Sequence, residues 1–213
     1  MQFTTQQHQP QIKEHNRYLD CENCARSNTR NKVCLWRNQI PAGILFIGEF
    51  PDMIEDQIGQ PFVGIAGAML DEMIAAVSVQ VRRDFEDQLA PENHHLITNI
   101  KTCVTTAVSC YGDEPPTDEE REACLPRLLE LIKIVNPQLI VLVGIDQLIP
   151  KIATNTDYEH WYKLSGKFLK DIPIIQIDSP QKLMELSEQV GKESIVPLYR
   201  VQVSKIVNAI RDL

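Results

Sequence analysis

The chain has 213 residues and a formal net charge of −8, a length that fits one domain with a substantial core. Apolar residues make up 43% of it and charged residues 23%, and no apolar run approaches the roughly 18–20 residues that a membrane-spanning helix needs. The acidic balance excludes a broadly basic surface for nucleic acid, because phosphate contacts need clustered Lys and Arg. A nucleic-acid-binding surface on this chain must therefore be a local basic patch or be completed by a partner.

Residues 1–18 form a polar, Gln-rich tail that is expected to be loosely ordered. The tail lacks the hydrophobic core of a signal peptide, so a cytoplasmic location is expected.

Apolar runs alternate with helical patterns over residues 19–213, which are predicted to form a single domain. The predicted strands are Ile44–Gly48, His95–Asn99, Leu139–Gly144 and Ile172–Ile177. The predicted helices are Ala66–Val77, Asp118–Val135 and Pro197–Leu213. This alternation predicts an α/β fold, a three-layer α/β/α sandwich around a mostly parallel, four-stranded central sheet.

Local signals refine the segment that follows the second predicted strand. Val104–Pro116 contains Gly and Pro without periodicity, which predicts a loop. Thr117 with Glu120 three residues later is the signature of a capping box at the start of the next helix. Pro126 within that helix predicts a kink or a break.

The six cysteines include a Cys-x-x-Cys pair, Cys21 and Cys24, and two distant single residues, Cys103 and Cys124. In an intracellular chain such cysteines are free thiols or metal ligands rather than disulfides. Thiolates suit both iron–sulfur clusters and zinc. The sequence therefore indicates a metal centre, with ordinary buried thiols as the alternative.

The stretch from Gly48 to Gly64, GEFPDMIEDQIGQPFVG, follows the first predicted strand. A glycine, an acidic loop and an aromatic residue after a buried strand are typical of a pocket at the carboxyl end of a parallel sheet. Three further motifs follow in order: Asn99-Ile-Lys-Thr-Cys103, Glu122-Ala-Cys124-Leu-Pro126 and Leu142-Val-Gly144. Together with the Cys-x-x-Cys pair, this ordered set resembles the iron–sulfur uracil-DNA glycosylases of family 4 over most of the chain from Cys21 onward.

The resemblance implies a [4Fe–4S] cluster bound by Cys21, Cys24, Cys103 and Cys124, with zinc as the alternative metal. The stretch between Cys103 and Cys124 is longer than in that family and contains Cys110. Cys110 is therefore a candidate substitute for one of the four ligands. Such a cluster would join segments that lie far apart in the sequence, which is a structural role.

The resemblance also implies a pocket that removes uracil or another modified base from DNA by hydrolysis of the N-glycosidic bond. Phe62 would stack on the flipped base, and Asn99 would bind the pyrimidine edge, since an amide both donates and accepts hydrogen bonds. Glu49 and Glu55 would be the catalytic carboxylates, which stabilise a sugar cation or orient water. The other implied substrate-binding positions are Gly48, Phe50, Pro51, Asp52 and Ser179.

Three positions depart from the family pattern. Ser179 stands where the family has a histidine that donates to the leaving base, and a serine before Pro180 also suits a helix N-cap. Phe50 replaces a small residue that lines the pocket, and Asp52 replaces a glycine. Three functions are therefore weighed: a divergent DNA glycosylase; a weak or inactive relative that binds single- or double-stranded DNA or a replication or repair protein; and an electron-transfer protein.

Overall fold

A five-stranded sheet lies at the centre of the computed structural model, which describes residues 5–85, 100–145, 172–190 and 195–213. Its strands are β1 Arg37–Asn38, β2 Ile44–Gly48, β3 Thr102–Thr106, β4 Leu139–Val143 and β5 Ile174–Ile177. Their order is β1-β3-β2-β4-β5; β1 is antiparallel to β3, and the other neighbouring pairs are parallel. The mostly parallel α/β sheet is confirmed, but the predicted four strands become five, because the two-residue β1 is too short to give a sequence pattern.

Helices cover both faces of this sheet. In the described residues they are α1 Thr5–His15, α2 Met53–Ile58, α3 Ile65–Phe85, α4 Asp118–Val135, α5 Pro180–Val190 and α6 Ile195–Arg211. α1 and α4 pack on one face, and α3, α5 and α6 pack on the other. No helix in the described part of the chain is long and apolar enough to cross a membrane.

The sheet is buried on both faces because its inner strands are continuous apolar runs. Every residue of β2 and of β4 is buried. Alternate side chains of a strand point to opposite faces, so Leu45 and Ile47 pack with α4 whereas Phe46 packs with α3. The result is the predicted three-layer sandwich.

The capping box at the start of α4 is confirmed. The Thr117 hydroxyl accepts the Glu120 N–H at 3.3 Å, and the Glu120 carboxylate accepts the Thr117 N–H at 3.0 Å. A break at Pro126 is not observed, since α4 continues through this residue. Buried side chains on the following turns hold the helix against the sheet and outweigh the one backbone donor that a proline lacks.

The helices that flank the site differ from their predicted bounds only at their ends. α3 extends the predicted Ala66–Val77 in both directions, to Ile65 and Phe85. α6 begins at Ile195, so Pro197 lies in its first turn, where proline is well tolerated.

From Thr5 onward the N-terminal segment is helical and packs on the core, whereas a loosely ordered tail was predicted for residues 1–18. α1 lies within it, Ile12 packs against the core, and His15 is fully buried. Just beyond α1, Arg17 pairs with Glu130 of α4 at 2.6 Å. These tertiary contacts order a segment whose polar composition alone predicts disorder.

β3 begins beyond the second predicted strand. The predicted strand His95–Asn99 lies outside the described residues, and the strand that pairs with β2 is β3 itself. The loop predicted at Val104–Pro116 is therefore wrong for its first three residues, which continue the strand. Thr and Val favour strands, but the threonines interrupt the apolar run that a sequence search detects.

The carboxyl ends of the parallel strands lie at one edge of the sheet. There Gly48 at the end of β2 pairs with Thr106 at the end of β3. Beyond the other two strands, the Gly144 N–H donates to the Ile177 carbonyl at 2.9 Å. The loops that follow all four strands therefore meet at this edge, which is where open α/β sheets bind ligands.

Candidate active site and cysteine centre

The loop after β2 is fixed by a capping box at the start of α2. The Asp52 carboxylate accepts the Glu55 N–H at 2.8 Å, and the Glu55 carboxylate accepts the Asp52 N–H at 3.2 Å. Gly59 ends the short helix at φ 84°, in the left-handed region that favours glycine. Asp52, implied to bind substrate, is thus the N-cap of α2, which explains a carboxylate where the family has glycine.

Phe62 lies directly over the end of β2. A Cβ atom on Gly48 would lie 2.4 Å from Phe62 Cζ, so only glycine admits the ring here. A Cβ atom on Gly67 would likewise lie 1.9 Å from the Phe62 carbonyl oxygen. These two glycines let the Pro61–Gly64 turn fold onto the sheet edge, with the edge of the Phe62 ring against Gly48.

Glu55 is buried, at 5% exposure, and binds backbone amides. Its carboxylate accepts the Asp52 N–H at 3.2 Å. The Phe62 backbone N–H also acts to lower its pKa, which relates the loop after β2 to the Pro61–Gly64 turn. Burial, reinforced by the charge of Asp52, raises the pKa of Glu55 from 4.5 to about 7. This predicted catalytic carboxyl therefore positions the Phe62 turn.

Glu49 is the more accessible of the two predicted catalytic carboxylates. One third of its side chain is exposed, and Arg121 Nη2 donates to its Oε1 at 2.7 Å. Its backbone carbonyl accepts the Val108 N–H at 2.9 Å, so the loops after β2 and β3 are tied together. A carboxylate here is suited to stabilise a sugar cation or to orient water.

Thr106 is a site residue that the sequence analysis missed. It ends β3 opposite Gly48 and is 1% exposed, and its hydroxyl has no hydrogen-bond partner among the described residues. A buried hydroxyl without a partner is destabilising, and a ligand that bonds to it would remove that cost. The sequence signal for such a residue is a polar side chain at the end of a strand. Because the strand was predicted to end at Asn99, that signal was assigned to Asn99. Asn99 itself lies outside the described residues.

Phe50 packs against a cation. The Arg26 guanidinium lies 5.2 Å from the centroid of its ring, a cation–π contact. Arg26 is held in turn by Glu120 at 2.8 Å. The bulk that distinguishes Phe50 from the small residue of the family is therefore accommodated beside Arg26, while Phe62 occupies the position over Gly48. Pro51, which follows Phe50, is buried.

Ser179 has N-cap geometry at the start of α5. Its Oγ accepts the Lys182 N–H at 3.1 Å, and its carbonyl accepts the Leu183 N–H at 3.1 Å. A Cβ atom on Gly144 would lie 2.6 Å from Ser179 Cβ, so the start of α5 packs against the end of β4. The oxygen serves the helix, and the hydroxyl hydrogen is the part of the group that can donate to a ligand.

A cavity of about 570 Å³ opens between β1 and the start of α3. Phe62 is in its wall, together with Trp36 and Asp71, but Glu49 and Thr106 are not. We assign the candidate active site to the strand ends rather than to this cavity, because the carboxylate and the unpartnered hydroxyl are there.

The thiols of Cys21, Cys24, Cys110 and Cys124 act electrostatically on one another. We call this group the cysteine centre. Cys110 acts on the buried Cys34 as well, but the Cys34 sulfur is engaged elsewhere, where it donates to the Glu55 carbonyl at 3.2 Å. Burial raises the pKa of the Cys110 thiol to about 12, opposed by Arg30 and reinforced by the other three thiols. Burial also raises the pKa of Cys124, where the thiols of the Cys-x-x-Cys pair act in the same direction.

Cys103 lies apart from the cysteine centre. It is fully buried in β3, paired with Leu45 of β2. Burial raises its pKa to about 12, and the described charged groups that act on it are Arg127 and Arg37, with no cysteine among them. Three of the four implied ligands and Cys110 thus act electrostatically on one another, whereas no cysteine is among the groups that act on Cys103.

The surroundings of the cysteine centre fit thiolate ligands. Burial lowers the pKa of Arg127 while the neighbouring thiols of Cys124 and Cys110 raise it, and the Ser109 N–H donates to the Cys124 sulfur. Cations and N–H donors stabilise thiolates. Within the described residues no three ligand-type side chains already surround one point as a single metal ion requires; the thiolates of a [4Fe–4S] cluster bind separate iron atoms.

Asp56 joins the two sites and was not singled out by the sequence analysis. It is 1% exposed and accepts the backbone N–H of Asn31 at 2.9 Å and of Lys32 at 3.2 Å. The Asn31 side-chain amide donates to it at 2.6 Å. Asp56 therefore anchors the segment after the Cys-x-x-Cys pair to α2.

The strand-end cluster defines an α/β protein with a ligand site at the carboxyl edge of its sheet. The family model described as the uracil DNA glycosylase superfamily matches residues 37–199. This match covers well over half of the chain, and the chain belongs to that superfamily.

Several curated relatives carry the name Type-4 uracil-DNA glycosylase. The protein of Pyrobaculum aerophilum is 31% identical over 133 residues, which are 62% of this chain and 60% of the relative. That of Thermotoga maritima is 32% identical over 128 residues, 60% of this chain and 58% of the relative. That of Saccharolobus solfataricus is 30% identical over 151 residues, 70% of this chain and 62% of the relative. The chain thus spans about three fifths of the length of these relatives.

Proposed function

We propose that this chain is a DNA glycosylase that removes uracil, or another altered base, from DNA by hydrolysing the N-glycosidic bond. The observation that carries the proposal is that the Phe62 ring and Thr106, whose hydroxyl has no partner among the described residues, lie against Gly48. The next residue is Glu49, whose carboxylate is one-third exposed and pairs with Arg121. Base excision needs an aromatic face for the flipped base, a polar group for its edge and negative charge near the sugar. Membership of the superfamily and the names of the relatives support the same function.

The base edge is assigned to Thr106. Its hydroxyl is buried beside Gly48 and has an unused donor and acceptor. A hydroxyl makes fewer directed contacts than the amide that the resemblance implies at Asn99. Recognition is therefore expected to be less strict than an amide would give, and the role of Asn99 stays a prediction.

The remaining groups are assigned separate roles in the reaction. Glu49 supplies negative charge close to the sugar, and Glu55 holds the Phe62 turn through backbone amides. Ser179 has one hydroxyl hydrogen for the departing base, where the family has a histidine. Loss of one such donor costs on the order of 100- to 1000-fold in rate, so slow excision is expected.

The cysteine centre is proposed to bind a [4Fe–4S] cluster through Cys21, Cys24, Cys110 and Cys124. Bound there, the cluster would hold the N-terminal segment, the loop after β3 and α4 together. Zinc is the alternative. Iron and sulfide analysis, with a visible absorbance spectrum of protein purified without air, distinguishes the two metals.

The function is tested by incubating the purified protein with single- and double-stranded oligonucleotides that carry uracil or other modified bases, followed by alkaline cleavage at abasic sites. Glu49→Gln is expected to lower excision by about 100-fold. Glu188→Gln, a change of an exposed carboxylate on α5, is the matched control and should leave excision unchanged. If the parent protein releases none of the bases, the glycosylase proposal is wrong.

A second candidate is a weak or inactive relative that binds DNA or a replication or repair protein. It is favoured by the engagement of the Ser179 oxygen as an N-cap and by the charge of residues 49–56, which contain four carboxylates and no Lys or Arg. Like charge disfavours a phosphate backbone at this segment. Tight binding of the same oligonucleotides without base release would support this candidate.

A further inference from the structure

Arg127 of α4 is 3% exposed and donates to four acceptors around the end of β3. Its Nη1 donates to the Leu35 carbonyl at 3.4 Å and to Thr105 Oγ1 at 3.2 Å. Its Nη2 donates to the Ala107 carbonyl at 3.2 Å and, at closer range, to the Thr106 carbonyl. Both terminal nitrogens of the guanidinium are therefore used to hold the strand end.

The charge of Arg127 lies beside the cysteine centre. The ion pairs between described residues include no carboxylate partner for it. Arg127 follows Cys124 by three residues on α4, so the two buried side chains share one face of the helix. The Arg127 Nε is buried without a hydrogen-bond partner among the described residues, and the thiols of Cys124, Cys110 and Cys21 act electrostatically on its guanidinium. A buried cation is costly unless it is paired. Cysteines that bind a metal or cluster are thiolates, so a loaded centre would provide the missing counter-charge.

The strand end that Arg127 holds also supports the candidate active site. The Ala107 N–H donates to the Gly48 carbonyl at 2.8 Å, and the Val108 N–H donates to the Glu49 carbonyl at 2.9 Å. A shift of the peptide groups bound by Arg127 would therefore be passed to the loop after β2. Arg127 therefore shares a helix with Cys124 and bonds directly to the strand end that holds this loop.

We propose that Arg127 is a positioning residue that couples the two sites: the thiolates of the loaded cysteine centre fix the guanidinium, and the guanidinium fixes the end of β3 beneath the base pocket. The inference rests on the proposed cluster, and it adds an effect of the centre on the pocket to the structural role of joining segments. Loss of the cluster would leave the cation unpaired and loosen the strand end.

The test compares the parent protein with Arg127→Met, Arg127→Lys and Lys133→Met. The methionine removes the charge and the donors, whereas the lysine keeps the charge but has a single donor group for the four acceptors. Lys133 is an exposed cation on the same helix and provides the matched control. Each protein is prepared chelator-stripped and after anaerobic reconstitution with iron and sulfide.

The first measurement is the increase in Tm on reconstitution. It should be large in the parent, in Lys133→Met and in Arg127→Lys, and clearly smaller in Arg127→Met, because only the last lacks the cation that the thiolates stabilise. The second measurement is amide hydrogen exchange at Ala107 and Val108. Reconstitution should slow it in the parent and in Lys133→Met, and should slow it much less in both Arg127 variants, since neither spans the strand-end carbonyls.

The KM for a single-stranded oligonucleotide with one uracil should rise by about tenfold or more in both Arg127 variants, the usual effect of losing a charge-assisted hydrogen bond. Equal gains in Tm on reconstitution in all four proteins would overturn the electrostatic part of the proposal. Unchanged exchange at Ala107 and Val108 in both Arg127 variants would overturn the link to the pocket. Failure of the proposed function gives a different result. If the parent cleaves no oligonucleotide but still shows the Tm and exchange effects, the glycosylase proposal is wrong and the coupling stands. If the parent takes up no iron, both the proposed cluster and the coupling are wrong.

Discussion

Replacement of Glu55 by Gln is expected to change how the stability of the protein depends on pH. Glu55 is buried beneath the loop after β2, and burial raises its pKa from 4.5 to about 7. Between these two pH values the folded state binds the proton more tightly than the unfolded state. The contribution of Glu55 to stability therefore falls as pH rises from about 4.5 to 7, and it stays low above pH 7.

The magnitude follows from the displacement of the pKa. A rise from 4.5 to about 7 corresponds to about 3 kcal/mol in the free energy of unfolding. Gln has nearly the same shape and does not titrate. The free energy of unfolding of Glu55→Gln, relative to the parent, should thus increase by about 3 kcal/mol between pH 4.5 and pH 8.

A second buried group gives the matched control with the opposite sign. Burial, with the nearby charge of Arg127, lowers the pKa of His15 from 6.5 to about 4. Its folded form binds the proton less tightly, so its contribution to stability rises with pH over that range. The two groups oppose each other between about pH 4.5 and 6.5. In Glu55→Gln the contribution of His15 to the free energy of unfolding, which rises with pH, is no longer offset by Glu55. In His15→Gln the contribution of Glu55, which falls as pH rises, is no longer offset by His15.

The measurement is urea unfolding followed by tryptophan fluorescence at half-unit steps from pH 4.5 to 8. Comparison with the parent at each pH cancels the exposed carboxylates, which titrate in all three proteins. If the curves of the parent and of Glu55→Gln run parallel over the whole range, the raised pKa of Glu55 and the buried geometry behind it are refuted.

Three further predictions concern the sites. Thr106→Val should raise the free energy of unfolding slightly, because it removes an unpartnered hydroxyl. It should also weaken binding of a uracil oligonucleotide by about tenfold. A lower free energy of unfolding with unchanged oligonucleotide binding would contradict the assigned role. Ser179→His should increase uracil excision by up to about 1000-fold and lower stability by about 1 kcal/mol through the lost N-cap, measured by alkaline cleavage and urea unfolding; no gain from a folded variant would show that the leaving-group donor is not limiting. Cys110→Ala should reduce bound iron and Tm, whereas Cys103→Ala should keep its iron; the reverse result would restore Cys103 to the ligand set.

The fold was largely predictable because its strands and helices carry strong local signals. Two of the predicted strands, Ile44–Gly48 and Leu139–Gly144, are unbroken apolar runs and match β2 and β4 to within one residue. The capping box fixes the start of α4 at Asp118 as predicted. The order of α1 was not predictable, because it depends on tertiary contacts of His15 and Ile12 rather than on local composition.

The site was predictable in the loop after β2 and not in the segment after it. Phe62, Glu49 and Glu55 belong to one continuous motif, which the structure places at the carboxyl end of β2. The threonines of β3 hide the strand, so the strand-end motif was assigned to Asn99 and Cys103, and the roles of these two residues stay predictions. Seven residues further along the chain, Thr106 ends β3, and the Cys110 thiol is acted on by those of Cys21, Cys24 and Cys124.

The departures from the family pattern differ in what they imply about chemistry. Asp52 and Phe50 are explained by contacts within the protein, the cap of α2 and the packing on Arg26, so neither requires a changed reaction. Ser179 is different, because it stands where the family has a histidine and no hydrogen bond between described residues uses its hydroxyl hydrogen. The Thr106 hydroxyl at the end of β3 likewise has no partner among the described residues. A serine in place of the imidazole leaves the stacking ring and the carboxylates in place and weakens directed hydrogen bonding to the departing base. A site of this kind is expected to favour bases that leave readily over bases that match one hydrogen-bond pattern.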